Sequence, residues 1–159
     1  MKLIICMDTR LGYSFNERRQ SSDRVVHQHM ADLLLEYDAP VYMNNYSGHS
    51  ISRNRQYLPQ TFFDKLLHQD LKEDPPEVFL KRAGEDEGSS AFVENVSIEG
   101  FYHRIDEIFM YTWDKKYPAD LLLPSSLFSA FILNKEETFR RRSHDEIIFR
   151  HYVRKSAGS

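Results

Sequence analysis

The 159-residue chain holds a single cysteine, Cys6, which excludes an intrachain disulfide and a cysteine-ligated structural zinc. It has no excess charge of one sign: 21 Lys and Arg stand against 24 Asp and Glu, a formal net charge of -3. That balance excludes a basic cradle for nucleic acid spread over the whole surface. No apolar run approaches the ~18 residues of a membrane-spanning helix. The opening Lys2-Leu3-Ile4-Ile5-Cys6-Met7 meets Asp8 too soon to be a secretory leader. No GxGxxG, Walker loop, HExxH or HxHxDH string occurs, which removes the common nucleotide-loop and zinc-hydrolase signatures. What the chain does have is 41% hydrophobic and 13% aromatic residues, enough to bury a core and too many for a disordered chain. Length and composition fit one cytoplasmic domain over residues 1–155, with 156–159 as a disordered tail.

Lys2 to Asp8 is a short apolar run ended by a charged turn, the pattern of a strand buried on both faces. Thr9 to Arg19 is polar and reads as a long loop. Ser21 or Ser22 suits a helix cap, and Asp23 suits the positive end of the helix dipole. Val26, Met30, Leu33, Leu34 and Tyr37 then form one apolar stripe at helical spacing. Pro40 stops the helix and Val41-Tyr42-Met43 reads as the next strand. Phe62-Phe63 and Leu66-Leu67 suggest a short amphipathic helix, and the acidic, Pro- and Gly-containing stretch from Leu71 to Ser90 reads as a surface excursion. Strands are expected near 91–94, 107–113, 130–134 and 146–154, with a short helix over Ile98–Arg104. Strands and helices alternate early and strands pair late. The fold class expected is therefore α/β, a three-layer domain around a central mixed, mostly parallel sheet with an antiparallel edge.

Several strings resemble the dihydrofolate reductase family. Asp8 followed by Gly12 is similar to the end of that family's first strand and its active-site loop. Gln20-Ser21-Ser22-Asp23 resembles the helix start that carries the family's pterin-binding acid. Val41-Tyr42-Met43-Asn44-Asn45-Tyr46-Ser47 resembles the strand and helix start that meet the cofactor phosphate. Ile105 to Pro124 and His144 to Lys155 resemble the late strands. The resemblance implies Asp23 as the catalytic acid, Cys6, Met7, Arg18, Arg19 and Tyr111 as substrate contacts, and Gly12, Asn44, Asn45, Ser47, Glu94 and Asn95 at the NADPH position. It implies a flat nitrogen heterocycle such as a pterin as ligand, and NAD(P)H-dependent oxidoreductase chemistry. Two positions depart from the family pattern. Asn44-Asn45 replaces the glycine and basic residue of the phosphate site. Glu94-Asn95 replaces a glycine pair, and a carboxylate there repels a pyrophosphate.

Each of these residues also has a plainer reading. Asp23 at a helix start stabilises the dipole whether or not it meets a ligand. His27-Gln28-His29 is an HxH string, but positions i and i+2 of a helix diverge, so no metal site follows and solvent-exposed histidines are the expectation. Arg18-Arg19-Arg24, Arg53-Arg55 and Arg140-Arg141-Arg142, with Tyr13, Tyr46 and Tyr57 near in sequence, supply the forks and rings that phosphates and bases require. They sustain an alternative reading as a nucleotide- or RNA-binding protein on the same scaffold.

Overall fold

The computed structural model describes residues 1–16, 18–19, 23–68, 75–140 and 146–156. Strand β1 (Lys2–Met7) lies in the interior of a seven-stranded sheet, as its continuous apolar run demands. It pairs in parallel with β6 (Ser90–Val93) on one side and β7 (Glu107–Trp113) on the other. Outside β6 come β4 (Val41–Met43) and then β5 (Leu66–His68), both parallel. Outside β7 the direction reverses, with β10 (Glu146–Arg154) antiparallel to β7 and β9 (Phe131–Arg140) antiparallel to β10. A small second sheet joins β2 (Gly12–Phe15) to β3 (Arg18–Arg19) and β8 (Leu121–Leu122). The expected α/β architecture, mostly parallel with an antiparallel edge, is the one observed.

Alternation of side chains along the strands divides the core in two. On one face, Ile4, Phe92, Phe109, Tyr111 and Phe149 pack against helix α1 (Arg24–Leu34), through Val26, Met30, Ala31 and Leu34. Ile51 of α2 (Asn45–Ser52) and Phe62 of α3 (Gln60–Phe63) complete that layer. On the other face, Leu3, Ile5, Met7, Ala91, Val93, Ile108 and Met110 meet Phe79, Leu80 and Ala83 of α4 (Val78–Glu85) and Tyr13 of the small sheet.

Four expectations are corrected. The stretch expected to be a long loop from Thr9 to Arg19 contains the β2–β3 hairpin, whose strands are too short for a periodic signal. Its turn from β1 is set by Asp8, a buried carboxylate whose Oδ1 accepts from the Arg10 and Gly12 amides at 2.8 and 2.9 Å. Oδ2 of the same residue accepts from Tyr117 N at 3.0 Å. Leu66 and Leu67 belong to strand β5 rather than extending the helix of Phe62 and Phe63. Spacing over so few residues cannot separate the two, and pairing with Val41 and Tyr42 decides it. The presumed surface excursion includes α4, whose Phe79 and Leu80 are buried despite their acidic surroundings. Finally, β9 runs on to Arg140, far past the expected 134. Its charged residues lie along a sheet edge, where solvation of one side and pairing of the other with β10 are compatible.

The placement of α4 makes a sharp prediction. Phe79→Ala leaves a cavity against Leu3 and Ala91 and costs about 3–5 kcal/mol in urea unfolding. The same change in a solvated loop would register within about 0.5 kcal/mol.

Candidate functional site

The parallel strands deliver their carboxyl ends to one side of the sheet, the usual place for a ligand in such a fold. Cys6 and Tyr111 are register partners, and Glu94 follows directly on Val93, the partner of Ile5. Strand alternation therefore sets Glu94, Cys6 and Tyr111 side by side on the α1 face. Glu94 is 5% exposed. Burial first, and then the Glu94 carboxylate, push the Cys6 thiol up, so it stays protonated. Met7 points to the opposite face and is a core residue beside Ile5; the structure does not bring it to this site.

Asp23 stands at the start of α1, half-buried, and is itself the helix cap: its Oδ1 accepts from Val25 N at 2.8 Å. The candidate cap residues Ser21 and Ser22 lie outside the described residues. Oδ2 of Asp23 makes no hydrogen bond among the described residues and is available to a ligand. Opposite, α2 presents Ser47, Ser50 and Ile51 inward, three residues that share a helix face at i, i+3 and i+4. Ser47 Oγ and Ser50 Oγ are buried with no hydrogen-bond partner among the described residues. A hydroxyl so placed costs about 1–3 kcal/mol, and both lie on the inward side of α2. Arg18 and Arg19 form β3, pairing with Phe15 and Ser14. Gly12 opens β2 under the Asp8 turn.

Sequence reasoning missed how α1 is held. His27 is 2% exposed, and its Nδ1 bonds the Asn54 amide at 2.8 Å. His29 reaches the other way, where its Nδ1 meets the Tyr111 hydroxyl at 2.7 Å and its Nε2 meets the Glu137 carboxylate. The imidazole of His29 also stacks on Phe139, centroids 5.0 Å apart. The expected solvent-exposed histidines are thus two anchors on opposite sides of one helix. The divergence at i and i+2 that excluded a shared metal is what lets them grip two different walls. Tyr111, expected to touch substrate, is fully buried with its hydroxyl committed to His29. Burial is the main cause of its raised pKa, with Cys6, Glu137 and Asp32 adding to it.

The cofactor positions form a different constellation. Asn44 caps α2 by accepting from Ser47 N at 3.1 Å. Its amide donates to Asn95 Oδ1 at 2.9 Å and to the Pro76 carbonyl at 3.3 Å. Asn45 is the first residue of α2.

No family model and no curated protein sequence matches the chain. Solved structures do. Dihydrofolate reductase from Enterococcus faecalis, complexed with NADP(H) and RAB-propyl, superposes with a TM-score of 0.61 at 9% identity, over 98% of this chain and 96% of that one. The chain carries the dihydrofolate reductase fold.

NADP(H) is bound by that neighbour. At this end of the present sheet one of the first α2 amides, Ser47 N, is already taken by Asn44. The Asn44–Asn95 bond spans the ends of β4 and β6, and the Glu94 carboxylate is buried beside it in the chain. Among the described residues no helix is long and apolar enough to cross a membrane, and no cluster of His, Cys, Asp and Glu is arranged to hold a metal.

The His29–Glu137 contact has a testable pH signature. The hydrogen bond from His29 holds the Glu137 carboxyl below its ordinary value of 4.5, with Lys135 assisting. A carboxyl whose pKa is depressed by folding contributes stability above its unfolded pKa and loses it as pH falls through the folded one. The unfolding free energy of wild type should therefore exceed that of Glu137→Gln at pH 7, by on the order of 0.5–1 kcal/mol for a pair this exposed. The gap should begin to narrow as pH falls below 4.5 and close once the folded carboxyl is protonated, measured by urea titration across the range.

Proposed function

We propose that this protein binds a flat, amino-substituted nitrogen heterocycle of the pterin kind between the start of α1 and the inner face of α2, without a nicotinamide dinucleotide. The observation that carries this reading is the pair of buried hydroxyls of Ser47 and Ser50 on the inward side of α2, which have no hydrogen-bond partner among the described residues. Asp23 is tied to that cleft through its own helix: His27, one turn on, bonds Asn54, and Asn54 N bonds back to the Ile51 carbonyl of α2 at 3.0 Å.

The chemistry of the lining selects the ligand. Asp23 offers an acceptor for adjacent N–H groups of an aminopyrimidine edge, a charge-assisted interaction stronger than a neutral one. Serine hydroxyls donate or accept as needed. Two carboxylates, Asp23 and the buried Glu94, raise the proton affinity of a ring nitrogen held near them. The site thus favours a protonatable heterocycle and disfavours an anionic one. Binding, rather than hydride transfer, is the activity these residues support.

A thermal-shift panel of pterins, folates, NADPH, NADH and mononucleotides tests this directly. A pterin at 100 times its Kd adds about 2.7 kcal/mol, several degrees of Tm for a domain of this size. NADPH and NADH should add nothing. Asp23→Asn should weaken the pterin by about 10- to 100-fold. Absence of a shift with every heterocycle overturns the reading.

The serines give a second check with opposite signs. Ser50→Ala removes an unsatisfied buried hydroxyl, so unliganded Tm should stay level or rise, while the ligand-induced shift shrinks. A fall in unliganded Tm of several degrees would mean that the hydroxyl has a structural partner instead.

A further inference from the structure

Beside the cleft, the first turns of α1 pack on residues 54–57, the segment that follows α2. Here three arginines stand apart from the rest. Arg10, Arg104, Arg150 and Arg154 each donate to a carbonyl or a carboxylate. Arg24, Arg53 and Arg55 donate to none among the described residues. Two of them lie instead on aromatic rings, with the Arg24 guanidinium 4.2 Å from the Tyr57 centroid and Arg55 4.1 Å from Phe63. Arg24 Nε is buried with no acceptor among the described residues. Arg53 and Arg55 are exposed, and Tyr57 is 41% exposed.

The position of Arg24 is unfavourable unless an anion is recognised there. Arg24 sits in the first turn of α1, where the helix dipole repels a cation. In a chain with 24 acidic residues and a net charge of -3, three arginines in this part of the fold, none ion-paired among the described residues, are not the product of a generally basic surface. A guanidinium held over a ring is partly ordered before any ligand arrives, and its accessible N–H groups can still meet oxyanions. Beside them the Gln28 amide donates to the Tyr57 carbonyl at 3.4 Å, Asn54 is held by His27, and Asp23, the residue before Arg24, is engaged in capping α1.

We propose that Arg24, Arg53 and Arg55, with Tyr57, form a nucleotide-phosphate site on this rim, in which the arginines hold phosphate oxygens and the exposed tyrosine stacks a base. The shared chemistry is a phosphate next to a planar base, and its source is either a single strand of RNA or a free mononucleotide. Base–aromatic stacking and arginine forks are the ordinary means of holding a single strand without sequence preference. This proposal does not rest on the heterocycle reading, because its arginines and Tyr57 are not among the groups assigned there.

Fluorescence anisotropy with a 5′-fluorescein-labelled decauridylate is the test, at 50 and 200 mM NaCl. Contacts from three arginines predict a log–log salt slope near -2, at about -0.7 per phosphate on a single strand, so affinity falls roughly twentyfold over that range. Arg53→Gln and Arg55→Gln, both exposed and expected to fold normally by circular dichroism, should each flatten the slope by about 0.7, and Tyr57→Ala should weaken binding at unchanged slope. Unlabelled UMP competing at concentrations comparable to the strand's phosphates supports the site and identifies a free nucleotide as its source; competition by the strand alone supports it and identifies RNA. The proposal is overturned by no binding at 50 mM salt, by a slope unchanged in the Arg53→Gln/Arg55→Gln double variant, or by polyglutamate binding as tightly as the RNA. A pterin should not displace the labelled strand, which separates this outcome from that of the pterin panel.

Discussion

Everything in this molecule is arranged around the double pairing of β1. Lys2 to Met7 is hydrogen-bonded in parallel to β6 on one side and β7 on the other, and both of its faces are buried. A strand so placed has no edge and no wet face, and the elements around it must cover both sides. Parallel pairing has a second consequence: it aligns the carboxyl ends of β1, β4, β6 and β7. Glu94, Cys6 and the start of α2 are neighbours for that reason, although they are distant in the chain.

The helix over this end, α1, is short and lies across the seam between sheet and cleft. Apolar packing through Val26, Met30 and Leu34 gives it affinity for the sheet but little lateral definition. The histidines supply that definition. Each is partly or fully removed from water and each is bonded on the side it faces. Buried polar groups of this kind are costly if mispaired and specific if satisfied. The consequence for function is positional, because Asp23 is the cap of the helix they hold.

The likeness to dihydrofolate reductase is one of scaffold, and the residues at the cleft show how much chemistry a scaffold leaves open. An asparagine pair ties β4 to β6, and the Glu94 carboxylate is buried just past β6. Both fall beyond the strand ends, where backbone pairing has finished. Substitution there costs this architecture little, while a change within β1 or β7 would cost it the core.

By itself the sequence determined the elements whose signal is local and strong: the two-sided burial of β1, the apolar stripe of α1 with Asp23 at its start, the run of β7, and the alternation of β10. The absence of glycine at Glu94 and Asn95 was legible in the same way, because backbone approach to a phosphate depends on the residue at that one position. Other features depended on partners remote in the chain. Leu66 and Leu67 became a strand only because β4 offered an open edge. Phe79 and Leu80 sit among prolines and acids, and only the far face of the sheet buried them. His27 and His29 looked alike in sequence. Tertiary structure separated them, since what an imidazole does is decided by the donor or acceptor it meets, and Asn54, Tyr111 and Glu137 reach these two histidines only once the sheet has assembled.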